Sequence, residues 1–90
     1  LKDAKVHLEV AAGREPEMRE IWRLLTIVNG RLGQMGKMAL TQAEYELLEG
    51  KNTAARTLAD RAVDQLPAGS PGWLRAQDIR AEAQQRIKDK

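Results

Sequence analysis

Between Pro16 and Gly33 the apolar residues Met18, Ile21, Trp22, Leu25, Val28 and Leu32 recur at three- and four-residue intervals. Glu17, Arg19, Glu20, Arg23 and Arg31 fall between them, outside the stripe. At about 100° per residue this is one apolar face on an amphipathic helix, predicted over 16–32. Pro16 suits the first helical position, where its missing N–H has no intrahelical acceptor to lose, and Gly33 offers a left-handed exit. Trp22 lies at the centre of the stripe and is expected to be largely buried. An isolated helix of this length is marginal in water, so its stability must come from packing against its neighbours.

The same periodicity predicts four further helices. Over 2–12, Ala4, Leu8 and Ala11 share a face with Val6 and Val10 beside it, and Gly13 follows as a stop. The link from Gly13 to Pro16 is short enough to force these first two helices antiparallel. Over 36–49 the core candidates are Met38, Ala39, Leu40, Ala43, Leu47 and Leu48, ending near Gly50. Asn52 or Thr53 is placed to cap a helix over 52–66, in which Ala55, Leu58, Ala59, Ala62, Val63 and Leu66 form a narrow stripe of small residues. Ser70 and Pro71 form an N-cap and N1 pair for a fifth helix over 71–88, with Trp73 in its first turn. Its apolar residues Leu74, Ala76, Ile79, Ala83 and Ile87 are thinly spread among charges, as in a helix that closes a stack. The expected architecture is all-α, one domain over 1–90, built of antiparallel hairpins.

Composition agrees. Ninety residues with 42% apolar content, two Trp, one Tyr and no Phe favour close-packed helices over sheet. The net charge of +2 comes from interleaved acids and bases, which leaves no continuous basic stripe for nucleic acid. No run approaches a membrane span, and the absence of cysteine leaves the redox compartment open. The chain opens at Leu1 in helical character, so it is read as a piece of a longer protein. On that reading the first helix lacks a preceding partner. Val6 and Val10 should be partly bare, and the chain should pair weakly with a second copy through its N-terminal hairpin.

No catalytic chemistry is legible. Zinc proteolysis needs two histidines one helical turn apart with a glutamate beside the first, whereas His7 is the sole histidine. Ser70 has no G-x-S-x-G setting and reads as a cap. The run from Gly30 to Gly36, GRLGQMG, follows a helix rather than a strand and lacks the G-K-[ST] of a phosphate loop, so it reads as a turn between helices. Met18, Met35 and Met38 read as core filler. No catalytic residue, metal ligand or cofactor is assigned within these 90 residues.

Two stretches resemble the tetratricopeptide pattern, in which small residues mark helix crossings and a proline closes each repeat of about 34 residues. Ala4, Leu8, Ala11 and Pro16 followed by Trp22, Leu25, Thr26 and Asn29 form one partial match, with Thr26 and Asn29 standing where glycine and tyrosine are usual. Gly50, Ala55, Ala59, Ala62 and Pro67 form another, in a different register. The resemblance implies a right-handed solenoid of about five helices, held by Trp22, Leu25, Ala43, Ala55, Ala59, Ala62 and Trp73. It also implies a concave face toward which Glu20, Arg23, Ile27 and Arg31 would point to hold a protein or peptide.

The stretch from Gly33 to Ile79, especially its A-E-x5-G-x4-A core and its GSPGWLRAQDI ending, resembles the C-terminal tetratricopeptide tail of bacterial zinc-dependent peptidases of the exported HExxH class. That resemblance implies a non-catalytic periplasmic tail that contacts its own upstream protease domain or client proteins in envelope quality control. Zinc would belong to the absent protease domain. The alternative is the tetratricopeptide domain of a cytochrome c maturation factor that binds an apoprotein or peptide.

Overall fold

The computed structural model describes residues 1–89, and among them the chain forms five α-helices and no strand. They are α1 (Lys2–Arg14), α2 (Arg19–Arg31), α3 (Met35–Leu48), α4 (Asn52–Gln65) and α5 (Pro71–Lys88). Each packs against the next, as short connections require. α3 also packs against α5, whereas α2 and α4 do not meet and the backbone of α1 approaches only α2. The helices form a slab of 40 × 26 × 19 Å.

The core lies between α3, α4 and α5 and is built from small side chains. Ala43, Leu47, Ala55, Leu58, Ala59, Ile79 and Ala83 form one buried cluster, and Ala39, Ala62 and Ala76 a second. Alanine at the crossings brings the helix backbones close, and Ile79, fully buried on α5, fills the space that remains. Leu66 plugs the adjoining gap. A β-carbon on Gly36 would stand 2.9 Å from the Leu66 side chain, and one on Gly72 would stand 3.2 Å from it, so both positions are glycine because Leu66 needs the room. Ser70 caps α5 as expected, its hydroxyl accepting from the Trp73 N–H at 3.3 Å, with Pro71 at the first helical position. The α2–α3 and α3–α4 reversals turn on Gly33 and Gly50, at φ +73° and +77°.

Several boundaries and faces differ from the sequence expectation. α2 starts at Arg19, not Pro16. Pro16 and Glu17 form a turn closed by the Met18 N–H to the Glu15 carbonyl, and the Trp22 indole donates to the Pro16 carbonyl at 2.7 Å, pinning the turn to the helix it precedes. α1 runs through Gly13 and ends at Arg14, since a single glycine lowers helix stability by about 1 kcal/mol without forbidding the conformation. Lys51 rather than Asn52 or Thr53 occupies the N-cap of α4, with no side-chain cap, and Asn52 is the first helical residue.

Met18 and Met35 are exposed rather than core filler, because each sits at a helix start where the chain has just left a turn. Met38 alone of the three packs inward, its sulfur 3.0 Å from where a Gly30 β-carbon would be. Leu48 and Leu74 are exposed as well. Trp22 is only half-buried, as is Trp73. On α1 the inward face is turned by one residue. Lys5 and Ala12 are buried, Leu8 and Ala11 half-buried, and Ala4 exposed, because the aliphatic stem of lysine covers more of α2 than an alanine methyl does. Val6 and Val10 are bare at 58% and 50% exposure, as expected of this helix.

Candidate binding groove

α1 and α3 stand apart on the same side of α2, and the gap between them is a groove of about 780 Å³ that continues along α5. That volume falls within the range of about 300–1,000 Å³ typical of ligand sites. Its floor is apolar: Ala12 from α1, Trp22 and Leu25 from α2, and Leu40 and Leu47 from α3. The periodicity that makes α2 amphipathic supplies that floor, since Trp22, Leu25 and Asn29 lie on one helical face. α4 contributes nothing, being on the opposite side of the slab.

Polar groups stand along the walls. Glu44 accepts from the Arg75 guanidinium through two bonds of 2.6 and 2.7 Å, tying α3 to α5. The side chain of Glu44 is only 10% exposed, and its bidentate hydrogen bond is the chief cause holding the guanidinium above its ordinary pKa. Arg86 pairs with Glu82 at 2.5 Å and also donates to the Leu47 carbonyl. Asn29 is 1% exposed and its side-chain oxygen has no partner among the described residues. Thr41, also buried, brings its hydroxyl to 3.0 Å from that of Thr26, which joins α3 to α2.

The four residues singled out as binding candidates lie elsewhere. Glu20, Arg23, Ile27 and Arg31 are all exposed on α2, and none lines this groove. Glu20 and Arg23 pair with each other at 2.6 Å, and Arg23 and Ile27 border a shallow pocket of about 190 Å³ with Tyr45 and Glu46. The structural residues Leu25, Ala43, Ala55, Ala59 and Ala62 are all buried.

The groove's own polar residues, Asn29, Lys37, Glu44 and Arg75 among them, were not singled out by pattern. One signal was available: Asn29 and Glu44 each interrupt an apolar face with a polar side chain, and a buried polar group calls for a partner. Among the described residues no group of three or more His, Cys, Asp or Glu is placed to hold a metal ion, and His7 is exposed. None of the helices is long and apolar enough to cross a membrane.

Comparison with family models, with curated proteins and with solved structures finds no match to this chain. What the fold and groove define is an all-helical domain with an apolar cleft on one face.

Proposed function

We propose that the chain is a non-catalytic interaction domain of tetratricopeptide type that holds a peptide segment of a protein partner in the groove between α1, α3 and α5. One observation carries this reading. α1, α3 and α5 border the groove over a floor supplied by α2, no residue of α4 lines it, and α3 packs on α5 without α2 reaching α4. Stacked helical hairpins produce that arrangement, and a concave binding face comes with it. The second partial match supports it: in its register Gly50, the buried Ala55, Ala59 and Ala62, and Pro67 would close a hairpin of α3 and α4.

The same reading makes the domain the tail of an exported zinc-dependent peptidase, where the groove would take a client segment or a strap from the upstream protease domain. The resemblance over Gly33 to Ile79 supports this. A second copy of the chain is a further partner, supported by the bare Val6 and Val10 on α1. In an antiparallel pairing of two such helices Asp3 of each copy would stand near Arg14 of the other.

Chemical-shift mapping tests the groove directly. Titration with a pool of random heptapeptides should move the Trp22 indole, Lys37 and Arg75 resonances. Shifts confined to Glu20, Arg23, Ile27 and Arg31 would place binding on the outer face of α2 instead and discard the groove.

A further inference from the structure

Asn29 and Gly30 stand side by side in the last turn of α2, and packing accounts for the glycine. A β-carbon on Gly30 would lie 3.0 Å from the Met38 sulfur, so the close approach of α3 to α2 keeps that position bare. The consequence is chemical. A glycine nitrogen has no side chain beside it, which lets it reach the amide carbon of a preceding asparagine wherever the backbone is free to turn. The Gly30 nitrogen then bonds to the Asn29 Cγ, its proton leaves with the side-chain nitrogen as ammonia, and a five-membered succinimide closes. Water opens that ring at either carbonyl, giving aspartate or its isomer linked through the side chain. Water is the one co-reactant consumed and ammonia the one product released.

The folded chain holds the reacting atoms apart. Within the helix the Gly30 N–H donates back to the Thr26 carbonyl, away from the Asn29 side chain. Beyond it the Val28, Asn29 and Gly30 carbonyls accept from the Leu32, Gln34 and Gly33 N–H groups at 3.0, 2.9 and 3.1 Å, and Gly33 turns the chain at φ +73°. Asn29 itself is 1% exposed. That hold has a weak point. The side-chain oxygen of Asn29 is buried without a partner, and an unpaired buried acceptor favours any conformation in which water reaches it. α2 also ends at Arg31, and helix ends open more readily than helix centres.

We infer that Asn29–Gly30 is a deamidation site exposed by local opening of the α2–α3 corner, and that its conversion makes the opening irreversible. The rate in the folded chain follows the population of the open corner. The product carries a carboxylate where the chain buries a neutral amide, and no group of the described residues is bonded to that oxygen to receive the charge. The isomer in addition lengthens the main chain inside a helix. Either product returns to a weaker native state, so chains are lost to covalent change after unfolding. The site stands whatever the groove binds.

Trypsin releases Asn29 within Leu24–Arg31 and the chain's other asparagine, Asn52, within Asn52–Arg56, so one digest reads both. After incubation in mildly alkaline buffer, mass spectrometry should find Asn29 converted at least about tenfold more slowly in the folded chain than in urea. In urea Asn52 should lag behind Asn29, because branched Thr53 follows it. Gly33→Ala, which forces a β-carbon into the left-handed region at the corner, should speed conversion in native buffer. Ile79→Val, in the core between α3, α4 and α5, should leave it unchanged. Asn29→Asp, which carries the charge of the product, should unfold at a lower urea concentration than the native chain.

Conversion of Asn29 no faster than Asn52 in urea would overturn the site. Equal rates for Asn29 in native buffer and in urea would overturn its protection by the fold. Equal acceleration by Gly33→Ala and Ile79→Val would overturn the corner as the gate and assign it to global unfolding. An Asn29→Asp chain as stable as the native one would overturn the irreversible step.

Discussion

α1 and α5 are both outer helices of the slab, yet they are held in opposite ways. α5 inserts Ala76, Ile79 and Ala83, each fully buried, against α3 and α4, and is tied to α3 by the Glu44–Arg75 pair. α1 buries only Ala12 and a lysine, brings its backbone near one helix alone, and leaves two valines bare. Small residues at a crossing let two backbones approach and gather dispersion contacts from both, whereas a lysine stem over a neighbouring helix covers area without closing the distance. The same looseness opens the cleft between α1 and α3. The part of the molecule that is weakest in packing is therefore the part that holds the proposed binding groove, consistent with binding surfaces being drawn from regions of low local stability.

Changes in the tight region should cost most. Ile79→Ala removes a fully buried branched side chain and should lower unfolding stability by about 2–5 kcal/mol in a urea titration. A loss under about 1 kcal/mol would mean that the α4–α5 contact can collapse around the gap and is not the rigid half. Gly36→Ala comes next. In an open helix interior that change gains about 0.5–1 kcal/mol, but here the new methyl would meet Leu66 at 2.9 Å, so a loss of about 1–3 kcal/mol is expected. The sign alone decides whether Leu66 is locked.

Trp22 lies between the two regions. Because it is half-buried on the groove floor, Trp22→Ala should cost about 1–3 kcal/mol, below the 3–5 typical of a buried aromatic. On α1 the double change Val6→Glu with Val10→Lys should leave the stability of the single chain within about 0.5 kcal/mol, since both side chains are bare. It should remove any concentration-dependent mass in sedimentation. If it unfolds the chain instead, α1 packs more tightly than its exposure indicates.

The contrast also explains what could be read in advance. Five helices and their approximate limits were legible because periodicity is written into each segment, and the Ser70–Pro71 cap because its chemistry is local. The alanine crossings of α4 were legible for the same reason: Ala55, Ala59 and Ala62 fall on one stripe. The start of α2 was misplaced because the Trp22 indole holds the Pro16 carbonyl from six residues away, and no propensity contains that bond. The groove was not legible at all. It depends on α1 standing off from α3, on Ala12 rather than Ala11 facing inward, and on Glu44 meeting Arg75 across 31 positions, all of which are set by how helices settle against one another.

The smallest expected effect concerns Lys5 and follows from its protonation. An unfolded lysine titrates near pH 10.4. In the folded chain burial, reinforced by Lys37, holds Lys5 lower, so between the folded and unfolded values the unfolded chain carries more protons. Stability then rises with pH through that window, because the cost of keeping a buried charge fades as the proton leaves. Below it, at neutral pH, that cost is fully present. Hydrogen exchange of the α1 amides, corrected for the intrinsic pH dependence of exchange, should show stronger protection on moving from pH 7 toward pH 10. Lys5→Met should be more protected than the native chain at pH 7 and show a flatter response. The difference between the two proteins isolates this one group, since the other titrating side chains are common to both. If the native chain and Lys5→Met respond in parallel, the ammonium is already well solvated, and the weak hold on α1 must then be assigned to its missing apolar contacts alone.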